Sequence, residues 1–198
     1  MTEAVLTFAE LAFLLGDDQQ KLGSRLRLMG WPPEGEVSAS GLASLAVRGL
    51  LAESEGVLMP RADVSGLLKK ATLATQWVEV ALARADVGGG LQLFDGPAGR
   101  ARVIPKPLGA FEFADVAAAK PLADEISSLV VDFLSAPQPG AVLLAVHLDA
   151  EAEQHELSFR SDGAGGVEMV EGSSLAAGIV NKVALADVQA AVAHIFVA

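Results

Sequence analysis

The chain has 198 residues, 52% of them hydrophobic, and carries 25 Asp and Glu against 14 Lys and Arg, for a formal net charge of −11. That is enough chain and apolar content to bury a sizeable core, as one large domain or two intimate subdomains. There is no cysteine, which excludes disulfides, thiolate zinc sites, iron–sulfur clusters and a cysteine nucleophile, and points to the cytoplasm.

Charge is uneven, with seven basic and sixteen acidic residues from Ala71 onward. DNA, RNA and anionic membranes need clustered Lys and Arg, so they are not expected partners. Glu3 and Glu10 stand where a secretory signal would carry positive charge, and Gly16, Asp17 and Asp18 interrupt the opening apolar run. No run approaches the roughly 20 apolar residues of a membrane helix. Neither a signal peptide nor a membrane span is expected.

Thr7 and Glu10 have the spacing of a capping box, which predicts a helix from Thr7 to Gly16 that is apolar nearly all round. Asp17 is placed to cap a second helix through Leu28, interrupted by Gly23 and stopped by Gly30 and Trp31-Pro32-Pro33. Ser40 is read as the cap of a third helix carrying Leu42, Leu45 and Ala46, with Gly49 ending it. Leu50 to Pro60 reads as a short hairpin bent at Gly56, and a fourth helix follows from about Ala62 to Leu73. Three helices and a hairpin also make a winged helix, so that alternative is carried.

From Thr75 the period changes from 3.6 to 2, with Val78, Val80 and Leu82 on one strand face and Trp77, Glu79 and Ala81 on the other. Gly88-Gly89-Gly90 is read as the hairpin turn that follows. Leu91 to Asp95, Ala101 to Ile104 and Ala110 to Ala114 are further short strands. Pro121 is expected in the first turn of a helix with Leu122, Ile126, Leu129, Val130, Phe133 and Leu134 in one stripe, ended by Pro137-Gln138-Pro139-Gly140. Val142, Leu144, Val146 and Leu148 alternate inward in the next strand, the chain returns through His155 to Arg160, and Gly163 to Gly166 turns it toward Val167 to Glu171. A looser Gly172 to Lys182 segment leads into a last helix with Leu185, Val188, Val192, Ile195 and Phe196 on one face. Strands followed by an amphipathic helix thus occur twice, at about 75–135 and 141–198, after a mainly helical 1–74. The expected fold is α+β, antiparallel sheets with flanking helices in two quasi-repeated halves, within a single domain over 1–198.

No motif announces chemistry. Gly88 to Gly90 and Gly163 to Gly166 lie between strands without the Lys and following helix of a phosphate loop. His147 with Asp149 or His155 is a conceivable base or metal pair, but strand alternation sets the two histidines on different faces, and a surface or edge role is preferred. His194 is read as facing the last helical carbonyls. Gly172-Ser173-Ser174 lacks the second glycine of a nucleophile elbow, and Asp149, Glu151, Glu153 and Glu156 lack the turn glycine of a calcium loop. Phe111, Phe113 and Phe94 read first as core and second as an open docking face; Trp31 is a second contact candidate. No catalytic, cofactor-binding or metal-ligating residue is assigned.

The stretch Leu-Ala-Ser-Leu-Ala-Val-Arg-Gly-Leu-Leu-Ala-Glu-Ser-Glu-Gly-Val-Leu-Met-Pro from Leu42 to Pro60, then a helix, then Gln-Trp-Val-Glu-Val from Gln76 to Val80, resembles the N-terminal half of the EspG family. Leu-Thr-Phe-Ala-Glu-Leu from Leu6 to Leu11 is similar to that family's opening helix. The resemblance implies a cytosolic, non-enzymatic chaperone of actinobacterial type VII secretion, without cofactor, whose partner is the apolar helical tip of a PE–PPE-like substrate. The alternative function is a winged-helix regulator joined to an α+β ligand-sensing domain. Its reading helix, Ser40 to Gly49, would carry Arg48 as its sole basic residue, which argues against DNA.

Overall fold

A computed structural model of the chain describes residues 2–16, 19–26, 39–85, 87–148, 154–172 and 180–197. In chain order the elements are β1 (Glu3–Thr7), α1 (Phe8–Leu15), α2 (Gln19–Arg25), α3 (Ala39–Val47), β2 (Leu51–Ser54), β3 (Val57–Pro60), α4 (Ala62–Thr72), β4 (Gln76–Arg84), β5 (Val87–Asp95), β6 (Arg100–Lys106), β7 (Ala110–Val116), α5 (Leu122–Leu134), β8 (Gly140–Leu148), β9 (Gln154–Ser161), β10 (Val167–Glu171), β11 (Asn181–Val183) and α6 (Leu185–His194). The strands form a nine-stranded antiparallel sheet in the order β1-β7-β6-β5-β4-β8-β9-β10-β11 and a separate two-stranded β2-β3 sheet. The fold is α+β, as the change of period predicts. Packing divides the chain into two compact units, Met1–Ala74 with Phe94–Ala117, and Thr75–Leu93 with Ala118–Ala198. These units do not follow the two blocks expected from sequence, because β6 and β7 lie in the first unit while β4 and α5 lie in the second.

In the first unit, β1 runs antiparallel to β7 from Glu3↔Ala114 to Thr7↔Ala110, and β7 to β6 through Phe113↔Val103. This register sets Phe111, Phe113, Val103 and Leu6 on one face, all buried, and Phe94 is fully buried as well. The three phenylalanines are therefore core, and their second reading as an open dock is withdrawn. Helix α4 packs on β1, β6 and β7 through its Val64, Leu67, Leu68 and Ala71 stripe. Its last carbonyls are met by the buried Arg25 of α2, whose guanidinium donates to the oxygens of Ala71, Thr72 and Ala74 at 2.8, 3.4 and 3.2 Å. A cation at a helix C-terminus satisfies orphan carbonyls and opposes the dipole.

The capping box at α1 is present in full: Glu10 N–H donates to Thr7 Oγ1 at 3.3 Å, and Thr7 N–H donates to Glu10 Oε2 at 2.8 Å. Glu10 is fully buried, and it also accepts from Ser44 Oγ at 2.6 Å and from Arg48 Nη1 at 2.6 and 2.7 Å, both on the α3 side. Burial pushes its pKa up, but the hydrogen bonds from Ser44, Thr7 and Arg48 and the Arg48 charge together hold it below the ordinary 4.5. Helices α1 and α3 touch so closely that a Cβ on Gly41 would lie 2.2 Å from Ala9 O.

In the second unit, β4 pairs with β8 from Gln76↔Leu148 to Arg84↔Gly140, and β8 with β9 through Leu144↔Leu157. Val78, Val80, Val142, Leu144, Val146, Leu157 and Phe159 share one buried face, as alternation predicts. Helix α5 packs on β8 and α6 through Ile126, Val130 and Leu134. A Cβ at Gly140 would meet Phe133 Cε1 at 2.9 Å, so the glycine admits the ring, and the Arg84 guanidinium lies over that ring at 4.1 Å from its centroid.

Several expectations need correction. Ser40 lies inside α3 and is not its cap, and α3 buries Gly41 and Leu45 while Ala46 is exposed, because Ser44 is turned to Glu10. Gly88 to Gly90 lie within β5, since β4 runs on to Arg84 and β5 resumes at Val87. Pro121 is the cap of α5, with an extended ψ of 147°, and not in its first turn. Asn181 and Lys182 are not loop but strand β11, paired with β10. The expected Asp17 cap, the extension of α2 to Leu28 and its stop at Gly30 to Pro33 lie outside the described residues.

Two measurements test this core. Gly41→Ala gains about 1 kcal/mol of helix propensity, yet it must net lose about 2 kcal/mol by urea unfolding because the new methyl overlaps backbone that cannot retreat. If Gly41→Ala is stabilising, the α1–α3 approach is wrong. Glu10 has a folded-state pKa depressed below its unfolded value, so its contribution is present above about pH 4.5 and is lost as pH falls through the folded value. The stability gap between wild type and Glu10→Gln, about 2 kcal/mol near neutrality, is expected to narrow steadily in urea titrations below pH 4.5.

Candidate protein-docking surface

The β2-β3 hairpin is launched by the end of α3. Gly49, at φ 64°, lets Leu50 N–H reach Leu45 O at 2.9 Å and Gly49 N–H reach Ala46 O at 3.1 Å, the paired bonds of a Schellman stop. Arg61 N–H donates to Leu50 O at 3.0 Å and closes the base. The Arg61 side chain grips Asp63 at 2.8 Å and reaches Gly49 O at 3.4 Å, and its hydrogen bond holds the Asp63 carboxyl below the ordinary 3.8. At the tip, Glu55 and Gly56 both have positive φ, 53° and 79°, which marks a two-residue type I′ turn. Both the hairpin and its bend at Gly56 follow the sequence reading.

The register Ala52↔Met59 and Ser54↔Val57 puts those four residues on one face, and Glu53↔Leu58 with Leu51↔Pro60 on the other. Val57, Leu58 and Met59 are 56, 53 and 51% exposed. The whole face of Ala52, Ser54, Val57 and Met59 is open to solvent and carries no charge. A second apolar tip is Leu108, fully exposed between β6 and β7 and held at φ 64°. Left-handed backbone at a leucine costs about 1–2 kcal/mol, and here no buried contact offsets it. The sequence signal for the hairpin is legible in retrospect: a β3 of Val-Leu-Met-Pro has no polar residue on either face to give to water.

Among the described residues singled out from sequence, His155, Glu156 and His194 line one groove, while His147 lies on the other face of the sheet from His155. His147 stands opposite Trp77 in the β4–β8 register, with ring centroids 4.4 Å apart and planes 7° from parallel, and its Nε2 lies 3.1 Å from Glu79 Oε1. Its side chain is 15% exposed in a central strand, so it is neither a surface nor an edge residue. His155 opposes Val146 and so takes the other face of the sheet. His155 and His194 line a groove of about 350 Å³ with Glu156 and Glu171, but among the described residues no three His, Asp or Glu side chains are arranged to hold a metal. Gly163 to Gly166 makes the β9–β10 turn, with Asp162 accepting from the N–H groups of Ala164 and Gly166 at 2.7 and 2.9 Å. Arg48 is committed to Glu10 and to Val5 O at 2.6 Å. Trp31, Asp149, Glu151, Glu153, Ser173 and Ser174 lie outside the described residues.

No helix among the described residues is long and apolar enough to cross a membrane. No protein-family model matches the chain, and no characterised protein matches its sequence at a significant level.

Strain at the exposed tip is directly testable. Leu108→Asn retains a residue at ease in left-handed backbone and is expected to raise stability by about 1 kcal/mol, read as a higher urea midpoint at unchanged slope. A loss of stability would mean that Leu108 has a folding role its exposure does not show.

Proposed function

We propose that this chain is a protein-binding chaperone or adaptor of cytosolic secretion substrates, of the EspG-like kind, which holds an apolar helical segment of a PE–PPE-like client. The observation that supports this best is the uncharged, solvent-open hairpin face of Ala52, Ser54, Val57 and Met59. Contiguous apolar surface exposed on a small protein marks a place where another molecule is bound. The resemblance to EspG proteins runs through this same hairpin, from Leu42 to Pro60. In this reading the chain is not an enzyme, takes no cofactor and acts in the cytoplasm.

A DNA-reading winged helix has less support. In that arrangement β2 and β3 would be the wing, and they carry Glu53 and Glu55 where phosphate would need Lys or Arg. The basic residue of α3's end, Arg48, is already engaged by Glu10.

Co-expression with candidate PE–PPE-like pairs tests the proposal. A client is expected to co-purify with the wild type, and the Val57→Asp/Met59→Asp double variant to recover at least about tenfold less, with its own stability within about 0.5 kcal/mol of wild type because both positions are exposed. If no candidate is stabilised or retained by the wild-type chain, the chaperone reading fails. Salt-sensitive retardation of duplex DNA would put the regulator in its place.

A further inference from the structure

We infer that the second unit carries a binding site for a small organic anion, a carboxylate or a phosphate ester, at the β10–β11 end of its sheet; the docking reading above plays no part in it. A cavity of about 540 Å³ lies there, lined by Pro139, Arg160, Asp162, Gly166, Glu168 and Lys182, and that volume is in the range of small-molecule sites. The strand register explains the convergence. Arg160 on β9 stands opposite Glu168 on β10, and Glu168 opposite Lys182 on β11, so the three make one cross-strand row on one face. Ser161, Val167 and Val183 also border the cavity, but alternation turns their side chains to the other face.

The charges around this row do not cancel locally. Glu168 Oε2 accepts from Arg160 Nε at 3.1 Å and from Arg160 Nη2 at 2.5 Å, so the carboxylate is drawn toward β9 and away from Lys182. Asp162 Oδ1 is filled by the N–H groups of Ala164 and Gly166 at 2.7 and 2.9 Å, and these bonds hold the carboxyl below the ordinary 3.8. Lys182 is exposed and makes no hydrogen bond or ion pair among the described residues. Both acids are thus engaged at home, and one ammonium stands at the cavity without a partner.

The composition of this part of the chain makes the placement informative. From Ala118 to Ala198 there are eleven Asp and Glu but only three basic residues, Lys120, Arg160 and Lys182. Two of those three line the same cavity. An acidic surface repels a free anion, so a site that takes one belongs where the scarce cations gather. A lysine ammonium is a compact charge with three donors and suits a carboxylate or a phosphate alike. Arg160 Nη1, which lies outside the Glu168 pair, is a second donor, and Pro139 supplies an apolar wall for the body of the ligand.

The probes are sodium benzoate, phenyl phosphate and benzamide, the last a neutral molecule of benzoate's shape, titrated into the isotope-labelled chain and followed through its backbone amide resonances. Benzoate or phenyl phosphate is expected to shift the Gly166, Glu168 and Lys182 amides saturably and to bind about tenfold tighter than benzamide, the difference that one hydrogen bond to a charged group makes. Whichever anion binds tighter identifies the class. Lys182→Gln should weaken that anion about tenfold and leave the urea midpoint in place, because the side chain is exposed. Equal binding of benzamide and the anions, or anion binding unchanged in Lys182→Gln, overturns the inference. So does a lack of saturable shifts, or shifts that appear equally at the exposed Lys69 and Lys120, which would be attraction to any surface lysine.

Discussion

The Glu10 carboxylate is the constraint on which the first unit depends. A buried charge is tolerable only if its lone pairs are filled, and here they are filled from three directions: Thr7 N–H at the start of α1, and Ser44 and Arg48 from α3. Arg48 then continues to Val5 O on β1. One side chain thus fixes a strand, the helix that follows it and a helix more than thirty residues away. Gly41 makes the arrangement sterically possible, because any larger residue would hold α3 off Ala9 O and draw Ser44 out of reach. With α3 fixed, its Schellman stop at Gly49 sets the direction in which the hairpin leaves. The apolar face is a downstream consequence of an acid–base contact made elsewhere.

What could be read from sequence was what is decided locally. Thr7 with Glu10 is a four-residue pattern whose partners are its own backbone, and Gly49 and Gly56 stand where positive φ is required. The alternation of Val78 with Val80 and of Val142 with Leu144 and Val146 needs only one buried face to be informative. Misreadings arose where a distant partner decides. Gly88 to Gly90 suit a turn and an extended strand equally, and the extent of β4 settles the matter. Strand β1 was unreadable because Glu3 to Thr7 is a strand only by pairing with β7, more than a hundred residues on. Arg25 gave no sign that it would close the carbonyl end of α4.

The candidate site was legible in part for the same reason. The hairpin and its bend were read from Gly56, but exposure is a tertiary property: Val57, Leu58 and Met59 look like core residues until nothing is found to cover them. The opposite holds for His147, Phe111 and Phe113, residue types that suggest chemistry or contact and that packing consumes, the histidine against Trp77 and Glu79 and the phenylalanines in the core.

An open apolar hairpin must also avoid its own copies. β2 and β3 are four residues each, short for an edge that would recruit another strand, and Pro60 removes a donor from the end of β3. Glu53 in β2 and Glu55 in the turn add charge beside these apolar residues. Pairing of two copies through these strands therefore brings like charges close to one another. Shortness, a proline and flanking charge are the devices by which an exposed apolar strand pair is held back from pairing with its own copies.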